Sequence, residues 1–151
     1  MIQAELSRRA FLRSSGAAMK ASCITLTFPM VLTACSRANE TRLNGGDFAT
    51  LSAVEAREYD AIAARIIPTD ETPGAREAGA VYFIDNVIAD AFERQRQTLR
   101  SGLADLQANT AALYDAALFA DLTSVQQDSL LTQIEETEFF ATIRFLVIAA
   151  M

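Results

Sequence analysis

The sequence predicts an all-α fold, a small bundle of about five helices that follows an N-terminal export signal. Apolar residues recur at intervals of three and four in several segments between residues 51 and 151. No segment shows sustained alternation of apolar and polar residues, and no hairpin dipeptide separates two apolar runs. With 151 residues, of which 51% are apolar and 21% charged, the chain has the size and composition of one globular domain.

The first predicted helix of this domain begins at Ser52 and ends before Pro68. Ser52 and Glu55 have the spacing of a capping box, in which each side chain satisfies a free backbone N–H of the other residue. Pro68 has no N–H to donate and stops the helix. The apolar residues that we expect on its inner face are Val54, Tyr59, Ile62, Ile66 and Ile67.

The second and third helices are predicted from apolar stripes. The stripe of the second comprises Val81, Ile84, Val87, Ile88 and Phe92, and that of the third comprises Leu99, Leu103, Leu106 and Leu113. Three acidic residues fall between or beside the apolar positions of the second helix. We expect these residues, Asp85, Asp90 and Glu93, to form a solvated face.

The fourth and fifth helices complete the predicted bundle. Thr123 and Gln126 form a second capping box, and Leu130, Leu131 and Ile134 are expected on the buried side of the helix that it starts. The fifth helix runs from about Phe139 to the end. Its aromatic and aliphatic residues favour a place in the core, with a partner-facing patch as the alternative.

Residues 1–34 are predicted to be an export signal and are set apart from the fold. Arg8 and Arg9 precede Phe11 and Leu12, and a weakly apolar stretch follows, which closely resembles a twin-arginine signal. The alternatives are the start of an amphipathic helix and a membrane span. A span is disfavoured because the longest uncharged, apolar-leaning run, residues 21–34, has 14 residues and contains Pro29.

The signal ends in a sequence, V-L-T-A-C-S, that resembles a lipobox. We therefore predict that Cys35 becomes the first residue after cleavage and carries the lipid. One alternative is that Cys35 is an unmodified cysteine near an ordinary cleavage site. The other is a disulfide between Cys35 and Cys23, which is doubtful because Cys23 lies in the segment that cleavage would remove. The polar residues that follow, with Asn44-Gly45-Gly46-Asp47, predict a flexible tether over residues 35–50 and a helical domain over residues 51–151.

The composition argues against most catalytic chemistry. The chain has no histidine, so no imidazole base or imidazole metal ligand exists. All basic residues after position 34 are arginine, and the net charge of −6 argues against nucleic acid as a partner. The glycines do not form G-x-G-x-x-G, so we expect no FAD in this chain. We also expect no other cofactor and no metal.

The loop from Pro68 to Gly74 is the best candidate for a contact with a partner. Two prolines pre-order it, and we select Pro68, Asp70, Thr72, Pro73 and Gly74 as contact residues. The alternative is that the loop only connects two helices. An acid-base pair or a calcium site at Asp70 and Glu71 is less favoured than a solvated turn.

One segment is similar to a known family. Residues 64–81, with the core I-I-P-T-D-E-T-P-G-A, resemble the small subunit, or subunit 3, of gluconate 2-dehydrogenase, and the resemblance extends more loosely over most of residues 50–145. Related small subunits serve membrane-bound dehydrogenases of fructose, glucose and glucosides. The twin-arginine signal is also what this family leads one to expect.

The resemblance implies a non-catalytic, exported subunit. Its partner would be a large FAD-dependent flavoprotein that oxidises a sugar or sugar acid, and a third subunit, where present, would be a multihaem cytochrome c. The small subunit would carry the export signal for the folded large subunit and stabilise it at the periplasmic side of the membrane. The alternative is a stand-alone helical lipoprotein that acts as an adaptor or scaffold.

The chain departs from the family pattern at its end. Family members continue into a tail with glycine, tyrosine and tryptophan, whereas this sequence stops at Met151 within an apolar run. We expect either a fragment or an end that a partner covers.

Overall fold

The computed structural model describes residues 27–91 and 93–151, and this part of the chain contains helices and no strand. The prediction of a small all-α bundle is therefore confirmed. The signal residues Arg8, Arg9, Phe11 and Leu12, as well as Cys23, lie outside the described residues. The seven α-helices of the described part are α1 (Phe28–Asn44), α2 (Ala53–Ile66), α3 (Ala75–Ala78), α4 (Ala80–Asp90), α5 (Glu93–Tyr114), α6 (Ser124–Gln133) and α7 (Glu138–Ala149).

Helix α1 corrects the predicted tether. Residues 35–44 form the second half of a helix that ends at Gly45, whose φ of +60° suits glycine. The helix packs on α4 and buries only two small side chains, Ala34 and Ala38. The sequence pattern did not predict this helix, because the side chains that it buries are small and most of residues 35–44 are polar.

The predicted helix starts are confirmed by their capping bonds. Ser52 accepts a hydrogen bond from the Glu55 N–H, and the Glu55 carboxylate accepts one from the Ser52 N–H at 2.8 Å. Thr123 and Gln126 form the equivalent pair at the start of α6. These bonds satisfy N–H groups that would otherwise have no partner in the first turn of each helix.

The core lies where α2 meets α4, α7 and the short 3₁₀ helix Phe119–Asp121, and α5 packs on α7 beside it. Leu99, Leu103 and Leu106 of α5 are buried as predicted, but Leu113 is exposed because the inner face continues through Thr110 and Tyr114. The largest fully buried apolar side chains are Tyr59, Phe83, Phe119, Ile62, Ile84, Leu99, Leu106, Leu130, Ile143, Leu146 and Val147.

Helix α7 contributes side chains to the core and also exposes apolar side chains, the two alternatives that the sequence left open. Phe139, Leu146 and Val147 are buried in the core, whereas Phe145 and Ile148 are 47% and 58% exposed. Phe139 lies so close to Gly102 on α5 that a Cβ at position 102 would overlap its ring. The close approach of α5 and α7 therefore depends on glycine at that position.

Asp85 does not lie on a solvated face, which corrects the prediction. Its side chain is only 3% exposed and accepts hydrogen bonds from the backbone N–H groups of Ala49, Thr50 and Leu51 at 2.6 to 2.9 Å. This buried carboxylate ties the segment before α2 to α4. Asp90 and Glu93 are exposed, as predicted.

Glu58 is a second buried carboxylate with a similar role. It accepts hydrogen bonds from the backbone N–H groups of Phe119 and Ala120 and from the side-chain amide of Gln107. Gln127 donates to the Phe119 carbonyl at 3.1 Å. Glu58 thus ties the 3₁₀ turn to α2, and Gln127 ties it to α6. The bonds to Glu58 are needed because a buried carboxylate requires donors to offset its lost hydration.

Candidate partner-binding site

The Pro68–Gly74 loop connects α2 to α3 and is held in one shape by its own side chains. The Asp70 carboxylate accepts hydrogen bonds from the Thr72 N–H at 2.8 Å and from the Thr72 hydroxyl at 2.9 Å. The Asp70 N–H donates to the Thr72 carbonyl at 3.2 Å. The bond from the Thr72 N–H to the Asp70 carboxylate forms an Asx-turn. The middle of the loop is therefore ordered by its own side chains and does not depend on packing against the core.

Glu77 of α3 fixes the two ends of the loop to each other. Its carboxylate accepts a hydrogen bond from the Thr69 hydroxyl and another from the Gly74 N–H at 3.2 Å. The bond from Thr69 is the main cause of a pKa below the ordinary glutamate value. Glu77 therefore stays ionised at neutral pH and keeps both bonds.

Gly74 allows the chain to double back on itself. A Cβ at this position would lie 2.6 Å from the Thr69 nitrogen and 2.7 Å from the Ile67 carbonyl oxygen. The next residue, Ala75, donates its N–H to that carbonyl at 3.0 Å and is fully buried. Only glycine fits this crossing. Gly74 is also buried, unlike Pro68, Asp70, Thr72 and Pro73, so its role is to shape the loop and not to offer an exposed contact.

The side chains at the top of the loop are exposed. Thr69, Asp70, Glu71, Thr72 and Pro73 all reach solvent. The hydrogen bonds from Thr72 lower the pKa of Asp70, the backbone bond being the larger cause. An aspartate that is held ionised in this way is a poor proton donor, and the loop offers a rigid, acidic surface instead.

Two ion pairs lie beside the loop, and each joins α2 to another helix. Arg76 contacts Asp60 at 2.7 Å, and Arg65 makes two bonds of 2.7 Å to the Asp128 carboxylate on α6. The second pair raises the pKa of Arg65 and lowers that of Asp128 through their hydrogen bonds. Both pairs brace the ends of the helices that carry the loop.

An open groove of about 390 Å³ adjoins the start of the loop, and the sequence reading missed it. Its apolar lining is Ile66, Leu131 and Phe140. Its charged lining is Arg65 of α2, Asp128 of α6, Glu135 of the α6–α7 connection and Arg144 of α7. Ile66 lies two residues before Pro68, so groove and loop are neighbours. The groove could not be found from sequence because it joins residues of three helices.

Cys35 lies midway along α1 and is half-buried. Its side chain lines a small cavity together with Arg42, Gly79 and Ala150. The Arg42 guanidinium donates to the Glu77 carbonyl at 2.8 Å. The predicted lipid-attachment residue is therefore close to α3, to which the candidate loop leads.

The described residues, 27–91 and 93–151, lack two features that would bear on the site. No helix there is long and apolar enough to cross a membrane. Within the same residues, no three His, Cys, Asp or Glu side chains are grouped so as to hold a metal ion.

Comparison with known proteins supports the resemblance seen in the sequence. Residues 32–148 match the family model described as gluconate 2-dehydrogenase subunit 3, which covers every helix from α2 to α6 and most of α1 and α7. No curated protein and no solved structure shows significant similarity to the chain. Because the match spans more than half of the sequence, the chain belongs to the gluconate 2-dehydrogenase subunit 3 family.

Proposed function

We propose that this chain is the non-catalytic small subunit of a membrane-associated, FAD-dependent sugar or sugar-acid dehydrogenase. The observation that carries the proposal is the Pro68–Gly74 loop, a pre-ordered and exposed element inside the family match. A loop that is already ordered loses little conformational entropy on docking, so it suits a stable protein interface. The large flavoprotein subunit would hold FAD and the substrate, and a third subunit could supply haem c.

Export and anchoring form the second part of the proposal. The twin-arginine signal at Arg8 and Arg9 would carry the folded large subunit, which has no signal of its own, to the periplasmic side. Lipidation of Cys35 would then hold the complex at the membrane. Because the Ala34–Cys35 bond lies inside α1, the helix must open there before a peptidase can cleave it.

The experiment that tests the proposal is a search for a large flavoprotein encoded next to this chain, followed by co-expression of the two. We expect a stable complex that contains the flavin, and no flavin absorbance from the small subunit alone. Asp70→Ala combined with Thr72→Ala should weaken the complex more than it lowers the Tm of the isolated subunit. Asp105→Ala, at an exposed position on α5, is the matched control.

Two outcomes would contradict the proposal. If no flavoprotein is encoded nearby, or if the wild-type chains do not copurify, a stand-alone lipoprotein that acts as an adaptor is the better description. If the double variant loses stability but binds its partner normally, the loop is only a connection between α2 and α3.

A further inference from the structure

Helix α1 buries little apolar surface where it lies on the domain. Only Ala34 and Ala38 are buried, and a cavity of about 60 Å³ beside Cys35 remains between α1 and the start of α4. The pair of Arg37 with Asp90, at 3.4 Å, is exposed on both sides. Elements with few buried apolar contacts open at a lower free energy than the core does. Helix α1 can therefore separate from α4 while the rest of the domain stays folded.

Arg42 joins α1 to the end of α3. Its guanidinium donates to the Glu77 carbonyl at 2.8 Å. Its stem lies over Gly79, which follows α3 with a φ of +75°, and a Cβ at that position would lie 2.6 Å from the Arg42 Cδ. The last carbonyls of a helix have no acceptor role within it, and a basic side chain can supply their donor. Arg42 thus caps α3 from another helix.

Glu77 connects this cap to the partner-binding loop. Helix α3 has only four residues, and a helix of that length depends on contacts outside itself. Helix α1 holds Glu77 through its carbonyl, while the Glu77 carboxylate accepts the bonds from Thr69 and Gly74 that close the loop. Within residues 27–91 and 93–151, the Arg42 side chain bonds to Glu77 and Asn39 and to no residue of the loop. Any effect of Arg42 on the loop therefore passes through Glu77.

We propose that docking of α1 orders the partner-binding loop through Arg42 and Glu77, so that the loop loosens when α1 separates from the domain. The consequence rests on the proposed function, in which cleavage before Cys35 requires α1 to open. Opening of α1 would weaken binding at the loop. Because linked equilibria are reciprocal, a large subunit bound to the loop would keep α1 closed and slow that cleavage.

Hydrogen exchange of the isolated full chain tests the coupling. In Arg42→Ala the Gly74 amide, which bonds to the Glu77 carboxylate, should exchange about tenfold faster, the order expected for loss of one charged hydrogen bond. Arg37→Ala removes only the exposed pair with Asp90 and should leave Gly74 unchanged. The Gln126 amide at the start of α6 reports global unfolding and should not change in either variant. Unchanged exchange at Gly74 in Arg42→Ala, or an equal increase in Arg37→Ala, would overturn the inference.

A second pair of variants opens α1 without touching Arg42. Ala38→Glu places a charge in the buried contact with α4, whereas Ser36→Glu places the same charge on the exposed side of α1. Ala38→Glu should speed exchange both in residues 35–44 and at Gly74, and Ser36→Glu should speed neither. If α1 opens in Ala38→Glu while Gly74 and Gln126 keep their wild-type rates, the loop is ordered independently of α1 and the inference is wrong.

The complex with the large subunit tests the reciprocal effect. Amides of residues 35–44 should exchange more slowly in the complex than in the isolated chain, and equal rates in an intact complex would contradict that effect. Failure of the wild-type chains to associate contradicts the proposed function instead. In that case the rates at Gly74 in the isolated variants still decide whether α1 and the loop are coupled.

Discussion

The Asp70 carboxylate accepts both hydrogen bonds that Thr72 can donate to it, one from the backbone N–H and one from the hydroxyl. The two residues are exposed, so their order comes from this local pairing and not from burial. Because Glu77 also joins Thr69 to Gly74, the loop meets a partner with its backbone already arranged.

The order of the loop should depend on pH. The pKa of Asp70 is lower in the folded loop than in the unfolded chain, so the stabilisation is complete above the ordinary aspartate pKa of about 3.9 and is lost as the pH falls through the lowered pKa. We expect protection of the Thr72 amide from hydrogen exchange at pH 5 to 7, and its loss in stronger acid. NMR-detected exchange measures this protection.

Asp70→Asn is the control for that titration. The amide oxygen still accepts a hydrogen bond but carries no charge, so protection of Thr72 should be weaker at neutral pH and should show no step due to residue 70. If the same acid step persists in Asp70→Asn, Glu77 controls the loop instead, because its pKa is also lowered.

Removal of the buried Asp85 carboxylate should destabilise the whole domain. Asp85→Ala leaves three backbone N–H groups without their acceptor, and we expect a cost of about 3 kcal/mol in the free energy of unfolding. Urea denaturation measures the change. Asp90→Ala, which removes only an exposed pair with Arg37, should cost less than about 0.5 kcal/mol. Similar losses in both variants would contradict the role given to Asp85.

Replacement of Arg8 and Arg9 by lysine should stop export of this chain and of its folded partner. Lysine keeps the charge, but its ammonium group cannot copy the planar donor fork of the guanidinium. Cell fractionation with the large subunit as the reporter measures the effect, and Arg13→Lys is the control because it lies outside the pair. Both chains found outside the cytoplasm in the double variant would contradict the export role.

Cys35→Ser should release the protein from the membrane or block its processing. Each methylene of an attached acyl chain contributes roughly 0.8 kcal/mol when it enters the bilayer, so the lipidated protein should resist salt washing. Metabolic labelling with a fatty acid tests the modification, and Cys23→Ser should retain the label. A wild-type chain that takes up no label would show that Cys35 is not a lipid-attachment site.

The sequence by itself determined the features that depend on neighbouring residues. The all-α class, the starts of α2 and α6 at Ser52 and Thr123, and the stop at Pro68 follow from interactions within one helical turn. The family also followed from a continuous run of residues within 64–81, and the family match confirms it.

Only the tertiary structure decided the roles of residues whose partners are distant in the chain. Asp85 looked like a surface residue beside an apolar stripe, but its three donors lie 34 to 36 positions earlier in the sequence. Helix α1 looked like a tether because it packs through alanines, and the groove at Arg144 joins three separate helices. Local patterns record hydrophobicity along one segment, whereas burial, charge pairing and surface shape depend on which segments meet in space.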